Sequence, residues 1–320
     1  MSAQYRIGID ENGLGPRLGP LVVTAVMARV TEEGRVIAGQ KPRGALEKRL
    51  GDSKAMVAHG DVALGEAWAR VLGAKAGASF DSPDDLLRAI CLDPREALVA
   101  RCPSHVERQC WNTQGESFTA PDAMLRSIAA DLRRLEAKGV ELVAVRTVIL
   151  CTERLNRDRA SGLSRFDSDL HAMERLILAL REEAGAPIEA VCGKVGGYSR
   201  YSNAFGPLGG RLHTVVEEGK VRSAYRFPGL GEIAFVRDAD ANDLLVAMAS
   251  MVGKWVRELT MARIVRHYAG LLGQELTASG YHDPVTGRFV EATSLVRREM
   301  RVPDDCFERA RDSAFVESAP

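Results

Sequence analysis

A short apolar strand that ends in two acidic residues and a glycine-rich turn constrains the fold of this chain more than any other feature. The strand reaches Asp10 and Glu11, and Gly13 and Gly15 follow almost at once. A second strand, nearly continuous in apolar and β-branched residues, is predicted over residues 21–27, as expected of a buried strand. Carboxylates at a strand end can hold a hard divalent cation, and glycine allows a backbone to approach a ligand closely. The pattern predicts metal-assisted chemistry on a phosphate ester.

Composition places the chain among ordinary globular proteins. Its 320 residues are 46% hydrophobic and 27% charged, which is enough apolar material for a sizeable core. The formal net charge is zero, so any contact with nucleic acid must come from a local basic patch. No apolar run reaches membrane-spanning length and the first residues lack the layout of a signal peptide, so we expect a cytoplasmic protein with no membrane partner. Six scattered cysteines do not form a disulfide framework.

Strand and helix patterns alternate along the chain, which predicts an α/β layered fold. The predicted strands cover residues 4–10, 20–30, 142–152, 188–192 and 233–236. The predicted helices cover residues 61–76, 121–138, 166–183 and 242–268, with another near 303–315. The predicted loops include residues 32–50 and 193–212.

A second acidic cluster contains Asp238, Asp240 and Asp243 and lies between a predicted strand and a predicted helix. Acidic residues in a first helical turn commonly serve only to complement the helix dipole. Asp10 and Glu11 give the cluster a second interpretation, because two-metal phosphoryl chemistry needs carboxylates that converge from different strands. Asp240 is therefore a candidate metal ligand.

Four sequence blocks together resemble the type 2 ribonucleases H, which cut the RNA strand of RNA–DNA hybrids and nick duplex DNA at embedded ribonucleotides. The first block is residues 8–16, and the second is Asp52-Ser53-Lys54. The third is Asp240 with the downstream segment 246–258, and the fourth is Gly280-Tyr281. The blocks stand in the family's order and spacing, and the resemblance covers roughly residues 1–60 and 142–290. Residues 76–141 have no counterpart in it and look like an insertion.

The resemblance implies a ribonuclease H-like α/β fold with a mixed central sheet flanked by helices. It implies a catalytic domain over residues 1–270, which includes a mostly helical insertion at 76–141. It also implies a C-terminal helical region over residues 271–320 that contacts the substrate. The implied partner is an RNA–DNA hybrid or a duplex DNA that contains a ribonucleotide, with no obligate protein partner.

Asp10, Glu11 and Asp240 match three of the family's four catalytic carboxylates and would hold Mg²⁺ or Mn²⁺. The family's fourth carboxylate is an aspartate at the end of the strand before the glycine loop. This chain has Cys192 there, or Gly193 if the register shifts by one. Neither residue supplies a hard oxygen ligand, because a thiolate is soft and prefers other metals.

The missing carboxylate leaves three hypotheses. Asp238 or Asp243 could replace it, although Lys194 adds a positive charge beside the position. In the first hypothesis the protein is an endoribonuclease: two metal ions held by Asp10, Glu11 and Asp240 activate a water that attacks 5′ of a ribonucleotide and leaves a 3′-hydroxyl and a 5′-phosphate, with or without such a substitute. Alternatively, it is a catalytically impaired ribonuclease H-like protein that binds nucleic acid. A third hypothesis is a related metal-dependent nuclease whose substrate is set by residues 76–141.

The resemblance also assigns substrate contacts. Gly13 and Gly15 would offer backbone groups to the ribose 2′-hydroxyl, which distinguishes RNA from DNA, while Leu14 stands where the family has an arginine. Tyr281 would stack on the sugar at the RNA–DNA junction, or else pack in the core. Lysines would contact phosphates or brace the acidic site, although Lys254 could instead pair along its own helix. The implied substrate-binding residues are Gly13, Leu14, Gly15, Ser53, Lys54, Lys254 and Tyr281.

Three further motifs have two interpretations each. Some cysteines and a histidine could bind zinc, but their spacing is not a standard one, and buried or free thiols are the favoured interpretation. Basic and aromatic residues interleave in the loop at 193–212 as nucleic-acid binding requires, or the loop is merely flexible. A basic run near residue 300 is a phosphate groove or a solvated helix face. The residues concerned are Cys91, Cys102, His105 and Cys110; Lys194, Tyr198, Arg200 and Tyr201; and Arg297, Arg298 and Arg301.

Overall fold

A mixed seven-stranded sheet forms the centre of the molecule in the computed structural model, which describes residues 4–51, 56–57, 61–105 and 108–310. The strands lie in the order β3-β2-β1-β4-β7-β6-β5. Strands β1, β4 and β7 are parallel to one another, and the other neighbours pair antiparallel. The carboxyl ends of β1, β4 and β7 therefore meet at one edge. The strands are β1 (Gln4–Asn12), β2 (Leu21–Val30), β3 (Val140–Leu150), β4 (Ile188–Gly193), β5 (Thr214–Glu218), β6 (Arg222–Phe227) and β7 (Gly231–Val236).

Helices cover both faces of this sheet. The α-helices of the described residues are α1 (Glu32–Ala38), α2 (Ala63–Lys75), α3 (Pro83–Ile90), α4 (Arg95–Val99), α5 (Asp122–Glu136), α6 (Thr152–Ala160), α7 (Arg165–Ala184), α8 (Ala239–Asn242), α9 (Leu244–Leu272), α10 (Pro284–Ala292), α11 (Ser294–Glu299) and α12 (Asp304–Phe307). The predicted α/β architecture, a mixed sheet flanked by helices, is confirmed. None of the described helices, including the 29-residue α9, is apolar enough over a sufficient length to cross a bilayer.

Each face of the sheet has its own apolar core. On one face, α9 packs with α2 and α5 against β2 and β3. It approaches β1 so closely that a Cβ on Gly8 would stand 2.3 Å from the backbone of Leu245 and Val246, and only glycine fits there. On the other face, one side of α7 packs against β1, β2 and β4, with Leu170 and Met173 fully buried.

The structure differs from the predicted elements mainly where residues are polar or exposed. Residues 32–38 form helix α1 and not a loop, because Thr31 caps it by accepting a hydrogen bond from the Gly34 amide at 3.1 Å. Strand β5, in which every residue is exposed, was not predicted, and neither was β6, although most of its residues are buried. Helices α3, α4, α6, α8, α10 and α11 were also missed. Only Asp304–Phe307 is helical in the described part of the predicted helix at 303–315.

The C-terminal segment closes over the turn between β1 and β2. The Gly280 carbonyl accepts hydrogen bonds from the amides of Arg17 and Leu18 at 2.8 and 2.9 Å. Arg309 donates to the Gly13 carbonyl at 2.7 Å and to the Gly19 carbonyl at 2.8 Å. The glycine turn is therefore held by residues from the other end of the chain.

Candidate metal and nucleic-acid site

Asp10 and Glu11 lie at the carboxyl end of β1, at the edge where the parallel strands end. Asp10 is buried and Glu11 is half-buried. On the neighbouring strand β4, a Cβ added to Gly193 would stand 2.9 Å from Oδ1 of Asp10 and 3.4 Å from Oε2 of Glu11. Gly193 therefore faces both carboxylates, and its lack of a side chain leaves them their space.

This geometry decides the register that the sequence left open. Cys192 pairs with Ile9 in the parallel ladder, and its side chain is fully buried in the apolar core that packs on α7. Burial raises the pKa of the Cys192 thiol well above its usual range, and the nearby charges of Asp169 and Glu174 raise it further. A buried neutral thiol is a core side chain, so the position that faces the acidic pair belongs to Gly193.

Asp240 lies beyond β7, two strands away from β1 at the same edge, in the short helix α8. It is half-exposed, and its Oδ1 accepts a hydrogen bond from the Ala241 amide at 3.1 Å. In the parts of the chain that the structure describes, no three Asp, Glu, His or Cys side chains gather closely enough to hold a metal ion. The structure thus brings Asp10 and Glu11 together and leaves Asp240 outside a compact ligand group.

The two substitutes that the sequence offered for the missing carboxylate have other positions. Asp243 caps α9 by accepting from the amides of Leu245 and Val246 at 3.0 and 3.1 Å, and it forms a buried ion pair with Arg6. Asp238 is 73% exposed at its side chain. Neither residue replaces the missing ligand.

The sequence predicted that Lys194 adds a positive charge beside the position of the missing carboxylate. In the structure its ammonium group instead makes hydrogen bonds in the β5–β6 hairpin. Its Nζ donates to the Gly219 carbonyl at 2.6 Å and to Oγ of Ser223 at 2.8 Å. The ammonium group therefore braces the β5–β6 hairpin. Burial lowers the pKa of Lys194, in line with this partly enclosed position.

The glycine turn, an arginine and an exposed tyrosine form a continuous row beside the acidic pair. Gly13 has φ of +90°, and a Cβ there would stand 2.8 Å from Nε of Arg257. The Arg257 guanidinium lies 4.6 Å from the ring centroid of Tyr281, which is 40% exposed. Gly15 is exposed, with open space where a Cβ would lie, and the Leu14 carbonyl accepts from Arg165 at 3.2 Å. Tyr281 is thus a surface ring next to the turn and not a core residue.

Lys254 pairs along its own helix. Its Nζ lies 3.0 Å from Oε1 of Glu258, one helical turn away, and Glu258 also accepts from the buried Arg257 at 2.7 Å. The lysine therefore braces the arginine that lies under Gly13. Ser53 and Lys54, predicted to contact substrate, lie outside the described residues, as does Asp52.

Sequence reasoning missed one residue near the acidic pair, Asp169 on helix α7. It is 0% exposed, and neither carboxylate oxygen has a hydrogen-bond partner among the described residues. Burial raises the pKa of Asp169 well above its usual range, and the charge of Asp10 raises it further. A sequence signal was present, because Asp169 stands at helical spacing from Phe166 and Met173, which are both buried on this helix.

The residues of this edge fit a hard divalent cation such as the Mg²⁺ or Mn²⁺ that the resemblance implies. Asp10 and Glu11 supply carboxylate oxygens, which these ions prefer. Gly193 leaves, beside both carboxylates, a space that a Cβ would fill.

In the remaining sequence motifs, two tyrosines and Arg297 have structural roles, while Arg200, Arg298 and Arg301 are exposed. Tyr201 is fully buried and stacks on Phe235 at 3.8 Å, and Tyr198 stacks on Phe166 at 3.7 Å, so these rings of the loop are not available to bases. The guanidinium of Arg297 lies 3.9 Å from the centroid of Phe307, and its side chain is 11% exposed, so it is neither solvated nor a phosphate contact.

The cysteines of the zinc hypothesis form no compact ligand group within the described residues. His105 makes a 3.2 Å contact between its Nε2 and the Arg301 carbonyl oxygen. Burial raises the pKa of Cys91 to about 11 and that of Cys110 well above its usual range. Neutral thiols in these positions favour the interpretation as free cysteines.

Fold and site together define an α/β protein with an acidic pair at the carboxyl edge of a mixed sheet. Among solved structures, the chain is similar to Bst-RNase HIII in complex with Mn²⁺, with 14% identity and a TM-score of 0.43 over 97% of this chain and 67% of that one. It is similar to the PCNA:RNase HII complex from Archaeoglobus fulgidus, with 17% identity and a TM-score of 0.44 over 96% and 92%. Ribonuclease H2 from Pyrococcus horikoshii OT3 gives 12% identity and a TM-score of 0.39 over 95% and 92%.

No protein-family model matches the chain, and no curated protein matches it either. Identities and TM-scores as low as those of the solved structures establish neither a family nor an activity for this chain.

Proposed function

We propose that this protein is a metal-dependent endoribonuclease that cuts the RNA strand of RNA–DNA hybrids or nicks duplex DNA 5′ of an embedded ribonucleotide. The observation that carries the proposal is the row formed by the acidic pair, the glycine turn and Tyr281. Asp10 and Glu11 end β1, Gly13 follows them, and Arg257 joins Gly13 to the ring of Tyr281. Metal ligands, an open backbone and an exposed ring are the parts that such a reaction needs.

Asp10 and Glu11 would hold Mg²⁺ or Mn²⁺, with Asp240 as a further ligand from the same edge of the sheet. A bound ion of this kind activates water and neutralises the charge that develops on a phosphate. The reaction adds water across the phosphodiester bond and leaves a 3′-hydroxyl and a 5′-phosphate.

The turn supplies recognition of the ribose. Gly13 and Gly15 have no side chains, and Gly15 is exposed, so backbone groups can approach a 2′-hydroxyl. Tyr281 presents its ring on the same side, where it can stack against a sugar or base. The buried Arg257 fixes the distance between these two parts, and Lys254 contributes through Glu258, which Lys254 and Arg257 share.

A second candidate function is a nucleic-acid-binding protein of the same fold that has lost the chemistry. Two observations favour it: Gly193 offers no carboxylate, and no three potential ligands form a compact group within the described residues. The turn and Tyr281 would bind the same duplexes in this case, without cleavage.

A nicking assay separates the two functions. A labelled DNA duplex with one embedded ribonucleotide is incubated with Mg²⁺ or Mn²⁺ and the wild type, Asp10→Asn or Asp238→Asn. The last variant is the matched control, because Asp238 is exposed at the same edge and its φ of +54° suits asparagine. Cleavage 5′ of the ribonucleotide that is lost only in Asp10→Asn supports the nuclease. If the wild type binds the duplex but does not cleave it, the result supports the second function. If the wild type neither binds nor cleaves the duplex, both proposals are contradicted.

A further inference from the structure

The outer face of helix α5 carries more positive than negative charge. The exposed charged side chains of this helix and of the turn that follows it are Asp122, Arg126, Arg133, Arg134 and Lys138. Over the whole chain 43 basic residues balance 43 acidic ones, so the excess on this face is local. A chain of zero net charge attracts a polyanion through such a local basic surface.

Most of these cations have no acidic partner among the described residues. Arg126, Arg133 and Lys138 form no ion pair there, whereas Nη1 of Arg134 lies 2.8 Å from Oδ1 of Asp131. Asp131 is buried, so it offers little negative charge at the surface. The described part of the protein therefore leaves the positive charge of this face largely uncompensated.

Two cavities border the helix, and cations line both of them. One cavity, of about 330 Å³, lies between α5 and the segment that follows α1, and its lining includes Lys41, Arg43, Arg134 and Lys138. Lys41 and Arg43 are exposed, and neither forms an ion pair with a described residue. A second cavity, of about 550 Å³, lies between α5 and α2 and is lined by the two remaining arginines of the face. Each is many times the roughly 30 Å³ that one water molecule occupies, so a phosphate group has room there.

The helix dipole accounts for only part of this charge. Cations in the last turn of a helix complement the partial negative charge at its C-terminus, which explains the basic end of α5. Arg126 lies near the start of the helix, and Lys41 and Arg43 belong to another segment, so the dipole gives no reason for these three. A ligand with several negative groups would explain all of them together.

The row of cations on α5 leads away from the edge of the sheet that carries Asp10 and Glu11. A short turn joins α5 to β3, against which it packs, so the helix runs opposite to that strand. Strand β3 ends at Leu150, which pairs with Leu21 just after the glycine turn, so α5 begins toward the acidic edge. From Arg126 to Arg134 the helix extends roughly 12 Å, the length of about three phosphates of one DNA strand at roughly 3.4 Å each.

The acidic edge itself offers little attraction to phosphates. Nearby cations are engaged within the protein, since Lys254 pairs with Glu258 and Arg309 donates to backbone carbonyls. A separate basic surface would supply the attraction that this edge lacks. Arginine suits that task, because its guanidinium can donate two parallel hydrogen bonds to one phosphate.

We propose that the outer face of α5, together with Lys41 and Arg43, binds the phosphate backbone of a nucleic-acid duplex beside the position that is cut. The inference rests on the proposed function, since it concerns the same duplex. It gives the insertion at residues 76–141 a role in binding that is separate from the chemistry at Asp10 and Glu11.

Binding of a fluorescently labelled RNA–DNA hybrid, measured by anisotropy in EDTA, tests this role without cleavage. The test variant is Arg126→Gln/Arg133→Gln/Lys138→Gln, in which all three positions are exposed. Each lost phosphate contact should lower the slope of log affinity against log salt concentration by about 0.9, so we expect a slope lower by about two to three units and an affinity at least about tenfold weaker at low salt. An unchanged affinity and slope would overturn the proposal and make the face a merely solvated one.

The matched control is Arg211→Gln/Lys220→Gln/Arg226→Gln, which changes the net charge by the same amount. These three residues are exposed and lie in or beside the β5–β6 hairpin, at the other end of the sheet from β3. The control should bind the hybrid nearly as the wild type does, and an equal loss in both variants would overturn the assignment to α5. Vesicles that contain phosphatidylserine are a second probe, and binding of the wild type to them but not to the hybrid would also overturn it.

Footprinting of the wild type covers the case in which the test variant does not fold. Arginines are modified with phenylglyoxal with and without the hybrid and located by mass spectrometry. Arg126 and Arg133 should become protected relative to Arg211, and equal reactivity with and without the hybrid would contradict the proposal. Hybrid binding that depends on α5 in a protein that cleaves nothing would uphold this inference and refute the nuclease. Cleavage by a wild type whose hybrid binding does not depend on α5 would do the reverse.

Discussion

Gly193 lies against Asp10 across two adjacent parallel strands, with Oδ1 of Asp10 only 2.9 Å from the point where a Cβ on Gly193 would be. The atom in the way is the end of a side chain, so a Gly193→Ala variant should keep its fold and push the Asp10 carboxylate aside. We expect Mn²⁺ affinity to fall by about tenfold, or roughly 1.4 kcal/mol, with a small change in unfolding temperature. Gly197→Ala is the control, because nothing lies within 4 Å of its added Cβ. Equal Mn²⁺ affinities of the two variants in calorimetry would contradict the proposed place of the metal.

Gly8 makes the contrasting case, in which backbone stands in the way. An alanine Cβ there would be 2.3 Å from the Leu245 carbonyl carbon and the Val246 nitrogen, so α9 would have to move off β1. Overpacking of a core typically costs about 1–3 kcal/mol and occasionally more, and we expect Gly8→Ala to lie at or above the top of that range. Urea denaturation measures the loss. Gly270→Ala, in open space on the exposed side of α9, should instead gain about 0.5–1 kcal/mol, and a similar effect of both substitutions would show that the close approach has no energetic role.

Glu174 should make stability depend on pH near neutrality. Burial raises the pKa of this carboxyl from 4.5 to about 7, although Oε2 accepts hydrogen bonds from the amides of Gly206 and Leu208. The folded state therefore binds a proton more tightly than the unfolded state. The stabilising contribution is full below about pH 4.5 and is lost as the pH rises through about 7, by up to about 3 kcal/mol.

A Glu174→Gln variant keeps an oxygen for the two amides and cannot ionise. Its free energy of unfolding should change less between pH 5 and pH 8 than that of the wild type, as measured by chemical denaturation. Glu182→Gln, on the exposed side of the same helix, should leave the wild-type pH dependence intact. Parallel pH curves for the wild type and Glu174→Gln would exclude this residue as the source.

Arg309 should hold the glycine turn more strongly than Arg17 does. Arg309 is 3% exposed and donates to the carbonyls of Gly13 and Gly19, so Arg309→Ala removes both hydrogen bonds, although Thr152 Oγ1 still lies 3.5 Å from the Gly19 carbonyl. Each such loss costs about 1–3 kcal/mol, and hydrogen exchange should accelerate in residues 13–19. Arg17 pairs with Glu308 at a partly exposed position, and Arg17→Ala should cost about 1 kcal/mol or less. Equal protection of the turn amides in both variants would show that Arg309 does not hold the turn.

The sequence predicts those parts of the fold whose residues carry a local pattern. Strands β1 and β2 and helices α5, α7 and α9 are apolar or amphipathic over many residues, and their existence and type follow from that pattern. Strand β5 has no buried residue, so it has no apolar pattern. Helix α1 lies in a polar segment and depends on capping by Thr31, which the pattern of apolar residues does not indicate. Such elements are stabilised by their neighbours and capping, which a one-dimensional pattern does not contain.

The same division applies to the candidate site. Asp10, Glu11 and the turn are adjacent in sequence, so a local motif identifies them. The surroundings of Gly193 depend on a strand pairing between residues more than 180 positions apart, and Asp169 depends on how α7 packs beneath that pairing. Tyr201 is an aromatic residue in a basic loop, as expected of a nucleic-acid contact, yet its ring is stacked against Phe235. Spatial neighbours of this kind become visible only once the layers are assembled.

The hydrogen bonds that Gly280 and Arg309 make with the glycine turn have a consequence for how the protein is made. Arg17 and Glu308, which are joined by an ion pair, stand 291 positions apart. During synthesis the first two strands leave the ribosome long before residues 280 and 309. The turn beside the acidic pair therefore lacks the hydrogen bonds to Gly280 and Arg309 until those residues have been made. A nascent chain can thus carry its acidic residues without a finished site, and the turn beside them would be complete only after Arg309 has been synthesised.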